Sequence, residues 1–485
     1  MPTETELKLE LMADAEERLL ASGLLGEPTS RKELRSIYFD TPDYRLRKAG
    51  FSLRIRTSGA SQMQTVKASG AASALFARDE WEMPITGDRP VLDYTTPLKT
   101  DLDITAEALL AQFSVEVLRR TWNVEEGDTR IEVALDDGQI IAGDRRLPLR
   151  ELELELKGGG ANGLFVFARK IDEIAPFRFG VRSKAERGYS LREELRPAIK
   201  SEPILLDRHM TAASSFQAMA EACFRHFRLN EDLFLQNRDA SSLHQARIAL
   251  RRLRSAFSIY KAMVPDAESI RLKDELKWLA NTLGKARDID VLMAKHGSGD
   301  LHERLETARS EAYERVIEEV HSSRARALAL DFNKWLRCGE YLELPETAEL
   351  RNTPAAEFAL QALDRQRRKL KKTGRCLAAI GDEQRHEARK AAKKLRYACE
   401  FFTSLFSGAR ARKRYGKFIG RMEKLQDRLG LLNDLVMAPT VYEAAGLTDI
   451  AATQNGINEE AKEKLITVSQ RALDKLIEAK RFWRE

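Results

Sequence analysis

A strict alternation of charged and apolar residues at the start of the chain places the strongest constraint on its fold. Residues 3–11 read T-E-T-E-L-K-L-E-L, so that Glu4, Glu6, Lys8 and Glu10 alternate with their neighbours. A period of two predicts a β-strand with one charged and one apolar face. Two carboxylates and an ammonium on one face can hold a divalent cation beside an anionic substrate. A solvated strand face would show the same pattern.

The same pattern returns along the first 200 residues. The segment L-R-E-L-E-L-E-L-K (149–157) places Glu151, Glu153 and Glu155 on one face. Further strands are predicted at 35–40, 51–57, 62–68, 79–83, 114–124 and 129–135, and helices at 14–22, 105–113 and 165–175. About eight amphipathic strands predict either a sheet with a solvated face or a closed antiparallel barrel with a charged interior. A charged interior is costly unless its charges are paired or bind a ligand.

Histidine and cysteine are confined to the second part of the chain. All 7 histidines and all 4 cysteines follow residue 200, so a metal bound before that point needs oxygen ligands, as Mg²⁺ and Mn²⁺ prefer. The cysteines are scattered, the first strand is acidic, and no apolar run has transmembrane length. We therefore expect a cytoplasmic protein that does not bind a membrane.

Residues 1–200 resemble the CYTH superfamily, the triphosphate tunnel metalloenzymes. After E-x-E-x-K (4–8), seven motifs follow in the family's order: YFDTPD (38–43), LRIR (53–56), QTVK (64–67), EWE (80–82), RRTW (119–122), ELELELK (151–157) and SKAERGY (183–189). The resemblance implies an eight-stranded antiparallel barrel that encloses a tunnel, with flanking helices. It also implies hydrolysis or conversion of triphosphates with Mg²⁺ or Mn²⁺.

A triphosphate carries about four or five negative charges, so its binding requires clustered cations. The candidate substrate-binding cations are Lys8, Arg54, Arg56, Lys67, Arg119, Arg120 and Lys184. By the resemblance, the metal ligands would be Glu4 and Glu6 with one or more of Glu151, Glu153 and Glu155. The candidate catalytic residues are Glu4, Glu6, Lys8, Arg54, Arg56, Lys67, Glu80, Arg119, Asp136 and Lys184.

The second part of the chain contains an internal helical repeat. H-Q-A-R-I-A-L-R-R-L-R (244–254) recurs as H-E-A-R-K-A-A-K-K-L-R (386–396), and L-G-K-A-R-D-I-D (283–290) recurs as L-G-L-L-N-D-L-V (429–436). On a helix, offsets of 0, +3, +7 and +10 fall within roughly 80° of one another. Each copy therefore presents one basic stripe, formed by His244, Arg247, Arg251 and Arg254 and by His386, Arg389, Lys393 and Arg396.

Charge supports a polyanionic partner for this part. The residues after 200 carry 51 Lys and Arg against 41 Asp and Glu, a net charge of +10. The repeat resembles the CHAD domain, which implies binding of inorganic polyphosphate to both stripes. Nucleic acid is the rival ligand, but no aromatic stacking surface or nucleic-acid motif is visible.

Together these features predict an α+β multidomain protein. We expect a tunnel domain at 1–200 and a helical domain at 206–485, with homologous halves at about 206–337 and 350–485. The predicted function is metal-dependent hydrolysis of tripolyphosphate to pyrophosphate and phosphate. The alternatives are an adenylate cyclase, a nucleoside or thiamine triphosphatase on the same barrel, and a non-catalytic polyphosphate-binding protein.

Overall fold

The computed structural model describes residues 5–12, 14–68, 80–93, 97–100, 102–295, 299–444, 446–449 and 459–484. Glu4, the first glutamate of the opening motif, lies outside these ranges. The chain forms two compact units, one of residues 1–199 and 321–339 and one of residues 200–320 and 340–485. None of the helices in the described ranges is long and apolar enough to cross a bilayer.

The first unit is built on one antiparallel sheet. Its strands are β1 (Glu6–Leu11), β2 (Ser30–Asp40), β3 (Phe51–Ser58), β4 (Ser61–Ala68), β5 (Glu80–Pro84), β6 (Leu110–Glu126), β7 (Thr129–Ala142), β8 (Arg145–Gly158) and β9 (Phe177–Phe179). They are hydrogen-bonded in the order β5-β4-β3-β2-β6-β7-β8-β1-β9. The α+β class with an N-terminal antiparallel sheet is confirmed. The eight-stranded closed barrel is not, because nine strands are present and the described edges β5 and β9 do not pair.

The helices of residues 1–199 lie between or beside these strands. They are α1 (Ala15–Ala21), α2 (Arg45–Lys48), α3 (Pro97–Thr100), α4 (Ala161–Ile174) and α5 (Lys184–Arg192). Helix α4 packs against β6, β7 and β8. The leucines that alternate with the charges on β1 and β8, such as Leu9 and Leu154, are fully buried. The apolar face of each strand therefore contributes to the hydrophobic core.

Strand register places the predicted charges on the opposite face. Lys8 pairs with Glu153, and Glu151 pairs with Asp136, which in turn pairs with Arg119. Residues directly opposite each other on antiparallel strands point to the same face. The same face continues across β2 onto β3, where Arg54 pairs with Tyr38 and Arg56 pairs with Ser36. On the next two strands, Lys67 of β4 pairs with Glu80 of β5.

One element of this unit was predicted wrongly from the sequence, and two others were not identified. Residues 105–113 were predicted to be helical, but only Ala106–Ala108 forms a 3-10 turn before β6 begins at Leu110. The run E-A-L-L-A-Q-F has good helix formers, and pairing of Phe113 with Tyr38 overrides that preference. The sequence also did not identify the short strand β9 or the helix α5.

The second unit is helical. Residues 212–477 contain α6 (Ala212–Asn237), α7 (Ala240–Ile259), α8 (Ala267–Met293), α9 (Asp300–His321), α10 (Ser323–Cys338), α11 (Ala348–Asn352), α12 (Ala355–Thr373), α13 (Asp382–Phe402), α14 (Ala409–Ala444) and α15 (Glu459–Ile477). Of these, α10 packs on α4 and belongs to the first unit. His244 and His386 are each the fifth residue of their helix, α7 and α13.

The predicted duplication is visible in the helix order. The two downstream repeat segments lie on α8 and α14, each the helix that follows a stripe helix. Helix α7 packs against α8, and α13 packs against α14. Helices α7 and α13 also pack against each other, so that the stripe helices of the two halves are neighbours.

Candidate functional site

A five-residue ion-pair network forms the centre of the charged face. Arg119 donates from Nε and Nη2 to the two oxygens of Asp136, both at 2.6 Å, and from Nη2 to Glu153 at 2.7 Å. The ammonium of Lys184, from α5, lies 2.6 Å from Glu151, 2.8 Å from Glu153 and 2.9 Å from Asp136. Five charges from three strands and one helix therefore meet within hydrogen-bonding distance.

These contacts hold the groups in their charged forms. Burial acts to lower the pKa of Lys184, but Asp136, Glu151 and Glu153 outweigh it and raise that pKa. Burial likewise acts to raise the pKa of Glu153, yet Lys184 and Arg119 hold it well below the usual range. The Glu153 carboxylate is therefore ionised at neutral pH, as a ligand for a cation must be.

Strand β1 adds Lys8 and Glu6 to the network. Their side chains form an ion pair with each other. Burial acts to lower the pKa of Lys8, but Glu6, Glu153 and Glu151 raise it above the usual value. The opening motif is thus part of the same charged face as β8.

The cation-rich part of the face lies on β3 and β4. Lys67 contacts Glu80 at 2.7 Å, and a guanidinium nitrogen of Arg54 lies 3.7 Å from the same carboxylate. Arg56 donates to Ser36 Oγ at 3.4 Å and has no carboxylate contact among the described residues. Burial and the neighbouring Arg54 and Arg119 lower the pKa of Arg56 to about 10. Positive charge is therefore in excess here.

Two predicted site residues lie apart from this network. Arg120 is on the opposite face from Arg119 and contacts Glu16 of α1. Glu155 is on the charged face, but its nearest cation is Lys157, at 2.5 Å. Glu151 and Glu153 are therefore the two members of the β8 glutamate triplet that contact Lys184.

The donors on this face are of the type that Mg²⁺ or Mn²⁺ prefers, since all are carboxylate oxygens. Glu151 is fully buried, and its Oε2 accepts no hydrogen bond. Among the described residues, however, no group of three acidic, histidine or cysteine side chains is arranged so that it could hold a metal ion. The ammonium of Lys184 lies among the carboxylates instead.

Sequence reasoning missed Arg187 and Glu10 as members of this face. Arg187, on α5, contacts Glu10 of β1, and its Nη2 lies 3.5 Å from Glu151 Oε2. Glu10 continues the alternation of β1, and Arg187 lies within the motif SKAERGY. The sequence therefore contained a sign of both residues. The direction in which Arg187 points, however, depends on how α5 packs against the sheet.

A second cluster of charges lies between α7 and α13. We define the central basic cluster as His244, Arg247, Arg251, Arg287, Arg389 and Lys393, whose charges act on one another. Burial, together with Arg251 and Arg389, lowers the pKa of Lys393 to about 6. Burial and Arg287 lower the pKa of His244 to about 4. The cluster is therefore a half-buried region of excess positive charge.

Several polar atoms of this cluster lack partners. His244 Nδ1, Arg251 Nε and Arg389 Nε are buried and accept or donate no hydrogen bond within the described structure. Arg247 is partly compensated by Asp288 of α8, at 2.9 Å. The sequence predicted five of these six residues as members of the two stripes, whereas Arg287 of α8 was not identified.

The ends of the two stripes have other surroundings. Arg396 is paired with Glu400 at 2.8 Å and with Glu423 at 3.5 Å. Burial lowers the pKa of Arg254, and the negative charge of Asp274 partly offsets that decrease. His386 Nδ1 lies 2.8 Å from Asn433 Oδ1 and lines a cavity of about 290 Å³ with Arg389. Position +10 in each copy is therefore compensated locally by acidic residues.

Comparison with known proteins identifies both parts of the chain. Residues 2–189 match the CYTH domain family, and residues 218–443 match the CHAD domain family. Over 166 residues the chain is 34% identical to an inorganic triphosphatase of Haemophilus influenzae, a match that covers 33% of this chain and 46% of that protein. The chain thus spans about half the length of that relative.

Two further matches cover larger shares of the chain. It is 25% identical over 505 residues to an uncharacterized protein of Mycobacterium tuberculosis, covering 93% of this chain and 92% of that one. The crystal structure of the CHAD domain from the plant Ricinus communis matches with a TM-score of 0.48 and 26% identity. That match covers 59% of this chain and 97% of the plant domain.

Proposed function

The chain contains a CYTH domain followed by a CHAD domain, and we propose that the CYTH domain hydrolyses inorganic tripolyphosphate to pyrophosphate and phosphate. The relative from Haemophilus influenzae that matches this part is an inorganic triphosphatase. The charged face of the sheet supports the same chemistry from the residues themselves. A tunnel formed by closure of the sheet around the substrate is part of the proposal.

The observation that carries the proposal is the separation of charge across this face. Carboxylates predominate on β1, β7 and β8, whereas Arg54 and Arg56 on β3 lack sufficient acidic partners. Arg119 lies between the two regions on β6. An anion beside Arg56 would relieve the repulsion that lowers its pKa, and the carboxylate side supplies oxygens of the type that bind a cation or orient water.

Hydrolysis adds a water oxygen to the terminal phosphorus and breaks the bond from that phosphorus to the bridging oxygen. The water proton passes to solvent, and pyrophosphate leaves. Because charge spreads over the phosphoryl oxygens, positioned cations supply most of the catalysis. We assign that task to Arg54, Arg56, Lys67 and Arg119, while the carboxylates of Asp136 and Glu153 keep Arg119 in place.

A metal ion fits the donor chemistry of the same face. Mg²⁺ or Mn²⁺ would be held by Glu6 and Glu4 of the opening motif with Glu151 or Glu153, and would neutralise phosphate charge when bound. Glu151 Oε2 accepts no hydrogen bond, although Arg187 Nη2 lies 3.5 Å away, and it is our candidate donor to such a ligand. Lys8 and Lys184 then restrain the carboxylates or contact the substrate.

Phosphate release from tripolyphosphate tests the proposal. We expect the wild type to release phosphate with Mg²⁺ or Mn²⁺, and to lose the activity in excess EDTA. Glu6→Gln keeps the shape of the side chain but removes its charge, and should lower kcat about 10²-fold. Glu17→Gln, on the exposed side of α1, is the matched control and should retain full activity.

ATP in place of tripolyphosphate separates the remaining possibilities. Faster turnover of ATP than of tripolyphosphate would favour a nucleotide enzyme, and cyclic AMP as the product would identify a cyclase. Wild-type protein that turns over neither compound, with either metal, would reject hydrolysis and leave a polyphosphate-binding role.

For the CHAD domain we propose binding of linear polyphosphate at the central basic cluster. Support comes from the half-buried cations of α7 and α13, which have few acidic neighbours, and from the buried nitrogens of Arg251 and Arg389 without partners. A chain of phosphates offers many acceptor oxygens to such groups. Both domains would then act on the same class of anion.

Polyphosphate binding should depend on pH through Lys393. Its pKa of about 6 leaves the side chain mostly neutral at neutral pH. A bound polyanion favours the ammonium form, so that binding takes up a proton. The Kd should therefore rise by as much as about tenfold per pH unit between about pH 7 and about pH 9. His244 stays neutral over this range, since its pKa is about 4.

Calorimetric titration with polyphosphate in two buffers of different ionisation enthalpy measures both the Kd and the proton uptake. Lys393→Arg is the control, because arginine stays protonated throughout the range. Its Kd should be nearly independent of pH. An equal pH dependence in wild type and Lys393→Arg would exclude this lysine as the titrating group.

A further inference from the structure

Helix α5 begins at a fully formed cap. Ser183 Oγ accepts a hydrogen bond from the backbone N–H of Glu186 at 3.2 Å, and Glu186 accepts one from the N–H of Ser183 at 2.7 Å. This reciprocal arrangement defines the first residue of a helix. Lys184 is therefore held at the first helical position.

The helix directs two cations to the charged face. Lys184 and Arg187 are three residues apart, so they share one side of α5. Lys184 contacts Asp136, Glu151 and Glu153. Arg187 contacts Glu10. The position of α5 thus determines where two positive charges meet the carboxylates.

Helix α5 is also anchored in an aromatic cluster. Tyr189 is buried and packs edge-on against Phe113, at 5.1 Å between ring centres, and against Tyr44 at 5.8 Å. Gly188 lies so close to Phe113 that a Cβ would be 2.1 Å from its ring. Any side chain there would push the helix away from the sheet.

Asp40, at the end of β2, connects α5 to a strand that lies much earlier in the sequence. The residue is fully buried, and its carboxylate accepts four hydrogen bonds. Three come from the backbone N–H groups of Thr41, Leu46 and Arg47, at 2.8, 2.9 and 3.1 Å. The fourth comes from the Tyr189 hydroxyl at 2.8 Å. The backbone bonds fix the carboxylate, so that Tyr189 meets a rigid acceptor.

We infer that Asp40 and Tyr189 are positioning residues for the hydrolysis proposed above, because their hydrogen bond docks α5 and so places Lys184 and Arg187 against the carboxylates. The inference rests on the proposed function. It also gives a role to Asp40 in the motif YFDTPD and to Tyr189 in the motif SKAERGY, which bond to each other outside the ion-pair network. Neither Asp40 nor Tyr189 contacts the reacting groups directly.

Tyr189→Phe tests the inference, because it removes the hydroxyl and keeps the ring. We expect kcat/KM for tripolyphosphate to fall about tenfold, since small displacements of positioned groups are costly. Amide hydrogen exchange in residues 184–192 should become at least about tenfold faster. Tyr260→Phe is the matched control, because it loses one equally buried hydrogen bond, to Ser215 in the second unit, and should leave both quantities unchanged.

A double-mutant cycle separates positioning from general destabilisation. If Tyr189 acts through Lys184, then adding Tyr189→Phe to Lys184→Met should lower the remaining rate less than twofold. Additive effects of the two changes would overturn the inference, as would unchanged exchange in α5 or full activity of Tyr189→Phe. An inactive wild type would instead reject the proposed function, and the inference with it.

Discussion

Arg119→Met is expected to lower kcat/KM for tripolyphosphate about 10³-fold, the scale of removing an arginine that stabilises phosphoryl-transfer charge. Arg119 contacts both Asp136 and Glu153, and its charge also lowers the pKa of Arg56. Its loss leaves the buried carboxylate of Asp136 with less compensation, so stability should fall by about 3 kcal/mol as well. Steady-state kinetics and thermal unfolding measure the two effects.

Arg120→Met provides the matched control. This neighbouring arginine is also buried and also forms an ion pair, with Glu16, but on the apolar side of the sheet. It should lose stability to a similar degree and keep kcat/KM within about threefold of the wild type, because no charge near the substrate changes. Equal loss of activity in both variants would mean that Arg119 acts only through stability.

Charge reversal of the central basic cluster is expected to have the second large effect. Arg251→Glu with Lys393→Glu should weaken polyphosphate binding at least about 10²-fold at physiological salt. Arg251 and Lys393 lie on neighbouring helices of different halves. The positive charge of Arg251 lowers the pKa of Lys393. Replacing both inserts two carboxylates where a polyanion would lie.

Lys371→Glu with Lys372→Glu likewise replaces two basic side chains by two acidic ones, elsewhere in this unit. Both lysines are exposed at the end of α12. This control should weaken binding only about twofold to fivefold, since separated surface charges are screened. Similar losses in both double variants would indicate nonspecific attraction to a basic surface. Preferential binding of duplex DNA over polyphosphate would identify nucleic acid as the ligand.

The accuracy of the sequence-based predictions differed between local and distant features. The alternation in β1 and β8 correctly predicted which side chains share a face, because the period-two geometry of a strand is a local property. The repeat likewise predicted the equivalent positions of His244 and His386. The CYTH and CHAD assignments are also confirmed.

Other features could not be predicted from local pattern. Residues 105–113 have helix-forming composition, yet pairing of β6 with β2 made residues 110–113 strand. The adjacent residues Arg119 and Arg120 were both predicted to bind substrate. In the structure, Arg119 lies on the charged face of the sheet, whereas Arg120 lies on the opposite face and contacts Glu16.

By itself, the sequence determined the fold class, the two family assignments and the faces on which charges lie, since these depend on short-range periodicity and motif order. The tertiary structure alone decided which charges meet. Lys184 reaches Asp136, Tyr189 reaches Asp40, and Lys393 approaches Arg251 across the two helical halves. Such contacts depend on strand order and helix docking, which arise from the packing of segments far apart in the chain.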